Sequence, residues 1–303
     1  MPPVFFSFFV PALFVWLWST GFIGAKYGLP YAEPFTLLFI RMLLTLIPLA
    51  VLAIVMRARW PGWRSAGHVA ITGILVHGCY LGGVFYAIDQ GMSSGLVSLI
   101  VGLQPLVTAL AAVVFLREAV SGKQWAGLVL GLVGVSLVIV EKFGGTSTGD
   151  TGLPGLPGLT LVWAGLALIG ISLGTVYQKR FGTSVDLVSG TMIQYTAAAV
   201  LFGVGALLLE TRSVEWSLQF KLALGWLVFG LSVSAILLLM WLIRRGAASQ
   251  VASLFYLVPP VTALEAFILF DERLGPMAMA GGVVAVAGVA LVVASGPRKA
   301  RSA

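Results

Sequence analysis

The chain is a succession of apolar runs, each about as long as a bilayer is thick, joined by short polar segments. Ten runs can be counted, at roughly 5–26, 33–56, 67–89, 94–116 and 124–141, then 158–180, 186–209, 220–243, 249–270 and 276–295. A helix needs about 20 mainly apolar residues to span the hydrocarbon core. Lipid offers no hydrogen-bond partner, so a crossing chain must close its backbone bonds within helices or within a closed barrel. Continuous runs of this length read as helices. Composition agrees, because 59% of the 303 residues are hydrophobic and only 10% are charged. A soluble domain carries about 25% charged residues to cover its surface. The fold class predicted is therefore an all-α integral membrane protein with ten transmembrane helices.

The formal net charge of +7 would point to nucleic acid in a soluble protein. Here the basic residues sit in the joins, where they report topology, and no nucleic-acid partner is expected. With the N-terminus in the cytoplasm, twelve of the 18 lysines and arginines fall in inside joins and the tail, and five fall in outside joins; Arg41 lies within a run. That bias predicts a multi-pass protein of a bacterial inner membrane with both ends cytoplasmic. The single cysteine, Cys79, excludes an internal disulfide and a cysteine metal cluster. The first residues lack the positive region of a signal peptide, so the first run reads as a retained span.

The two halves of the chain are related. An offset of 153 aligns Gly21 with Gly174, Lys26 with Lys179 and Glu33 with Asp186. An offset of 155 aligns Gly91 with Gly246, Ser98 with Ser253 and Pro105 with Pro260. An offset of 154 then aligns Glu118 with Glu272, Ala126-Gly127 with Ala280-Gly281, and Gly134-Val135 with Gly288-Val289. The predicted organisation is a first five-helix repeat over 1–143, a linker rich in Gly, Thr and Pro over 144–157, a second repeat over 158–296, and a basic tail over 297–303. Five is odd, so each half crosses the membrane in the opposite sense to the other. Inverted repeats are the architecture of many secondary transporters, because two similar halves of opposite orientation give two near-equivalent states, one open to each side.

The ends of the halves carry a family resemblance. The first reads Gly91-Met-Ser-Ser-Gly-Leu-Val-Ser98, Gln104-Pro105, Phe115-Leu-Arg-Glu118 and Gln124-Trp-Ala-Gly127. The second reads Arg244-Arg-Gly-Ala-Ala-Ser249, Pro259-Pro260, Asp271-Glu272 and Ala280-Gly281. With Arg41 in the second helix, the chain resembles the drug/metabolite transporter superfamily, and within it the ten-helix bacterial exporters with two EamA domains. The resemblance implies export of amino acids and related metabolites, with aromatic amino-acid exporters the nearest kind.

Several residues are candidates for function, each with a plainer alternative. Pro105, Pro259 and Pro260 fall within the fourth and ninth runs, where proline removes a backbone donor and bends a helix. Such a break serves gating or stands as a static kink. Ionisable groups inside spans are functional candidates because their burial in lipid is costly, and there are three, Arg41, His77 and Glu265. Arg41 and Glu265 fall toward the outer side and are read as a gating or structural charge pair, the alternative being separate snorkelling. His77 is either a packing residue or a cavity residue, and Tyr80 lies one turn on. The expected substrate site lies near the midplane between the halves, around His77, Tyr80, Gln104, Trp163 and Tyr256. Trp163, Gly170, Gly174 and Tyr177 form one stripe of the sixth helix, read as a cavity wall or as interfacial anchoring. Small-residue pairs at Gly24/Gly28, Gly78/Gly82, Gly127/Gly131 and Gly170/Gly174 permit close helix approach. The fifth and tenth helices read as packing helices, with a homodimer face as the alternative.

No P-loop, zinc cluster or Gly-x-Ser-x-Gly is present in the sequence. No cofactor, metal or catalytic residue is expected, and the partners expected are a small-molecule substrate and the lipid bilayer. A secondary exporter working by alternating access is the leading reading. Its rivals are an intramembrane enzyme acting on a lipid-soluble substrate and a non-transporting receptor or assembly subunit.

Overall fold

A computed structural model describes residues 4–116, 121–144, 157–182, 184–235, 238 and 255–294. The described chain is helical throughout, apart from short turns and one isolated bridge between Ala32 and Val214. The first repeat contains α1 (Val4–Gly28), α2 (Pro34–Val55), α3 (Trp63–Asp89), α4 in two pieces (Ser94–Val101 and Gln104–Leu116) and α5 (Gly122–Gly144). The second contains α6 (Pro157–Phe181), α7 (Leu187–Leu209), α8 (Leu218–Ala235), α9 (Val258–Phe270) and α10 (Pro276–Ala294). By length and composition, α1 to α4 and α6 to α8 can each cross a bilayer, and the described parts of α9 and α10 are shorter apolar helices. Large apolar side chains cover the outside, including Ile47, Val51 and Ile54 of α2 and Val204, Leu207 and Leu208 of α7. Exposed apolar surface of this extent is what lipid covers.

Helix ends are set by local chemistry. Ser93 caps α4 by accepting from Leu96 N, Asp186 caps α7 by accepting from Val188 N and Ser189 N, and Ser217 caps α8 by accepting from Phe220 N. Each satisfies a donor that the first helical turn leaves free. Pro34 opens α2, where a missing N–H costs nothing. The next two donors, Phe35 N and Thr36 N, go to the Glu210 carboxylate at 2.7 Å each. That bond ties the start of α2 to the end of α7, across the two halves.

The packing repeats itself with the halves exchanged. α2 packs on α7 and α5 on α10; α1 packs on α8 and α9, while α6 packs on α3 and α4. The contact between α5 and α10 shows the relation residue by residue. Gly134 lies against the backbone of Gly281 and Ala285, and Gly288 lies against the backbone of Gly127 and Gly131. Adding 154 to the first helix converts one contact into the other. A pseudo-twofold axis therefore passes through this pair, as two inverted five-helix repeats require. A Cβ at either glycine would strike backbone, so close approach here demands glycine. The outer sides of the pair, including Val129, Leu132 and Val283, remain exposed.

Pro105, Pro259 and Pro260 mark interruptions, and they start helices instead of bending them. α4 is interrupted at Gly102-Leu103, and Pro105 is the second residue of its second piece. A 3-10 turn, Phe255–Leu257, precedes α9, and Pro259 and Pro260 occupy that helix's first turn. The two interruptions meet, since Gly102 packs directly on Pro259.

Candidate functional site

Between the halves lies a cavity of about 120 Å3. Its walls come from α1 (Trp18, Gly21, Phe22), α2 (Arg41), α3 (Val76, His77, Tyr80, Leu81, Val84, Phe85), α6 (Ile171), α7 (Tyr195) and α8 (Leu231, Ser232). Both repeats contribute. The lining is mostly apolar and aromatic, with a few polar groups converging on it, which is the usual make-up of a small-molecule site. Pockets that enclose drug-sized ligands run to roughly 300–1,000 Å3, so this cavity is smaller than such a ligand fills.

Two of the walls are wound unusually. In α3 the stretch Ile74–Cys79 is a π-helix, and in α8 the stretch Trp226–Ala235 is another. These are the third helices of the two repeats. Each π stretch delivers cavity residues, Val76 and His77 from one and Leu231 and Ser232 from the other. The π form is rare, and it concentrates at functional sites because it re-aims side chains. Nothing in the local sequence announces it. In α3 it coincides with close packing on one flank: Gly170 of α6 lies against Leu75 O, Cys79 and Tyr80, and Gly174 lies against Leu75 and Val76.

Arg41 is the most informative lining residue. It is 2% exposed. Its Nη2 donates to Ser232 Oγ at 3.2 Å across the half-to-half interface, and among the described residues its Nε and Nη1 have no hydrogen-bond partner. A buried guanidinium left with free donors is costly by several kcal/mol, and a planar fork of this kind matches a carboxylate. Tyr80 and Tyr195 line the same space, with the His77 ring 4.5 Å from that of Tyr195.

The expected charge pair between Arg41 and Glu265 does not form. Arg41 turns into the cavity toward Ser232, while Glu265 of α9 faces α1, where Ser19 Oγ lies 2.9 Å from its Oε1. Sequence position places both residues toward one side of the membrane but is silent on which helix face each takes.

The remaining candidates divide. His77 and Tyr80 line the cavity. Gln104 does not; its Nε2 donates to Thr175 Oγ1 at 3.1 Å, and its carbonyl accepts from Ser172 Oγ, so it joins α4 to α6. Trp163 does not either, stacking on Tyr86 at 4.7 Å, and Tyr86 OH donates to Glu210 at 2.8 Å. The α6 stripe is therefore a packing surface for α3, and Tyr177 at its far end bonds His68. The side chain of Tyr256 lies outside the described residues. Residues missing from the expected set are Trp18, Phe85, Tyr195 and Ser232, because their spans carry no period that separates cavity from lipid.

One end of the bundle is cross-linked between the halves. Glu33 accepts from Thr211 N, Thr211 Oγ1 and Arg212 N, Glu210 holds the start of α2, and Glu215 N donates to Tyr31 O. Lys26 at the end of α1 pairs with Glu272, which also accepts from Ser94 N and Gly95 N. Together these bonds close the bundle on that face.

Comparison with known proteins accords with this architecture. A solved crystal structure superposes with a TM-score of 0.65, covering 93% of this chain and 94% of the other at 19% identity, which shows a shared fold. The chain is 28% identical to the uncharacterized transporter YvbV of Bacillus subtilis, over 93% of this chain and 89% of the relative. It is 26% identical to a probable amino-acid metabolite efflux pump of Escherichia coli, over 91% of each. It is 28% identical to a probable terminal-alkyne amino-acid exporter of Streptantibioticus cattleyicolor, over 91% of this chain and 89% of the relative. The EamA-like transporter family matches residues 5–140 and again residues 158–294. Two copies of one domain, inverted about a shared cavity, make this multi-pass membrane protein a member of the EamA-like transporter family.

Proposed function

We propose that the protein exports amino acids or closely related metabolites by alternating access, and that the carboxylate of the substrate binds Arg41 in the cavity between the halves. The observation that carries this reading is the buried Arg41 guanidinium, which lines the cavity with two donor groups unpartnered. An incoming carboxylate supplies the missing acceptors and neutralises the charge. Trp18, Phe22 and Phe85 offer aromatic surface to an apolar side chain. The names of the two amino-acid exporter relatives support the same substrate class. A phosphorylated sugar fits less well, because one guanidinium is a small complement for a phosphate. In this cycle the cross-linked face is the closed gate, and its opening exposes the cavity to that side.

Flux of labelled L-phenylalanine into proteoliposomes of the purified protein tests this. Arg41→Gln should weaken apparent binding about 100-fold, since a charge-assisted hydrogen-bond pair is worth about 2–3 kcal/mol. Arg41→Lys keeps the charge without the fork, so it should rescue only part. Melting temperature should hold or rise in Arg41→Gln, because an under-partnered buried charge is removed. Equal transport by all three proteins would place the carboxylate elsewhere.

We also infer cytoplasmic termini from the distribution of basic joins, which puts the cross-linked face outside. With Cys79 replaced by alanine, an impermeant thiol reagent should label Arg212→Cys in intact cells and leave Trp60→Cys protected. The reverse pattern would invert the orientation.

A further inference from the structure

We propose that Glu265 is a proton-binding site that couples this transporter to a proton gradient, and that its carboxyl is neutral in this conformation. The proposal rests on the transport reading above but uses a different site, the contact of α9 with α1. Ser19 is fully buried, and its hydroxyl has one hydrogen to give. Two acceptors lie in reach, the carbonyl of Trp16 at 2.8 Å and Glu265 Oε1 at 2.9 Å. Glu265 Oε2 is buried with no partner among the described residues.

With Glu265 ionised, Ser19 must abandon Trp16 to serve one carboxylate oxygen, and the other oxygen stays bare in an apolar contact. An uncompensated charge there is strongly disfavoured. With Glu265 protonated, each hydrogen has a place: the carboxyl O–H donates to Ser19 Oγ, and Ser19 donates to Trp16 O. Among the described residues of the elements that α9 packs on, no cation changes this. α9 packs on α1 and on the first piece of α4. In α1 the titratable side chains are Lys26 and Tyr27, and Ser94–Val101 has none. Lys26 is paired with Glu272 and sits over the Phe270 ring, and Tyr27 also packs on Phe270. Both lie at the far end of α9, about 10 Å along α1 from Ser19 at 1.5 Å per residue.

Glu265 stands next to a part of the molecule that has to move. α9 begins at the Pro259-Pro260 interruption and ends at Phe270, two residues before Glu272 of the cross-linked face. When that face opens, α1 and α9 separate, the carboxyl meets water, and its proton is free to exchange. The carboxyl takes up its proton from the outer side in that state, holds it in the occluded conformation seen here, where the cavity is small, and gives it up once the inner side opens, so that one proton moves inward for each substrate moved outward.

Infrared difference spectroscopy on the purified full-length protein tests the site without any substrate. Wild type at neutral pH should show a protonated-carboxyl C=O band that is lost in Glu265→Gln. In Ser19→Ala the band should persist but shift, because its hydrogen-bond partner is gone. Absence of the band from wild type at neutral pH would overturn the proposal. A second measurement tests coupling. Proteoliposomes one pH unit more acidic inside, with the membrane potential clamped at zero, should accumulate labelled L-phenylalanine about tenfold, one unit of pH being a tenfold driving force for one-to-one exchange. Glu265→Gln should equilibrate the label without accumulating it. Gradient-independent flux in wild type would overturn the coupling and leave the transport reading standing. A carboxyl band with no phenylalanine flux would keep the proton site and reject the substrate class.

Discussion

The α5–α10 pair and the α3–α8 pair hold equivalent places in the two repeats and have opposite characters. In α5 and α10 the helices are regular, the contact is glycine against backbone, and the contact obeys the pseudo-twofold residue by residue. In α3 and α8 each helix carries a π stretch, and each presents a polar group to the cavity, His77 on one and Ser232 on the other. The polar groups themselves are not symmetric. Arg41, the charge in the cavity, has Gln194 as its counterpart in the repeat, and Glu265 has Leu110. Duplication thus keeps the frame alike on both sides and lets the interior diverge.

Substitution at the frame has the largest expected effect. Gly134→Leu and Gly288→Leu each drive a side chain into the backbone of the facing helix, and overpacking of this kind costs about 1–3 kcal/mol or more. Both should lower the melting temperature of the detergent-solubilised protein, and by similar amounts, because the two contacts are images of each other. A large fall for one and none for the other would break the symmetry argument. Transport per folded molecule should stay near wild type in whichever variant still reconstitutes.

The cavity side should respond the other way, with function lost and stability kept. His77→Ala removes one polar group from the wall of the proposed site; a hydrogen bond to substrate there would be worth about 1.4 kcal/mol, so phenylalanine flux at low concentration should fall about tenfold with little change in melting temperature. The smallest effect belongs to Gln104→Ala. Its side-chain bond joins α4 to α6 away from the cavity, so its loss should cost about 1 kcal/mol of stability and leave flux within about twofold. A drop in flux for Gln104→Ala as large as that for His77→Ala would extend the site beyond the cavity walls.

The outcome for individual residues shows what kind of information each one carries. His77 and Tyr80 stand out in the sequence because polar and aromatic groups in mid-span are conspicuous against leucine and glycine, and both line the cavity. Arg41 stands out for the same reason, but its direction does not: pairing it with Glu265 follows from depth alone, whereas the helix face of each decides the partner. Trp163 and Gln104 are conspicuous too, and the structure uses them to hold helices together. Ser232 and Tyr195 draw no attention in sequence, since serine and tyrosine occur in any membrane helix.

What the sequence by itself determined is the solvent, the secondary structure and the architecture. Ten span-length apolar runs admit only helices in lipid, and a near-constant offset through an odd number of them admits only an inverted repeat. These properties are additive along the chain and need no contact to be known. Which polar groups share a cavity, which of them go without partners, and where a helix loosens into the π form were decided only by tertiary structure. Those depend on the rotation of each helix about its own axis. Close packing sets that rotation, and along these spans apolar residues face lipid and protein alike, so hydrophobic periodicity carries little record of it.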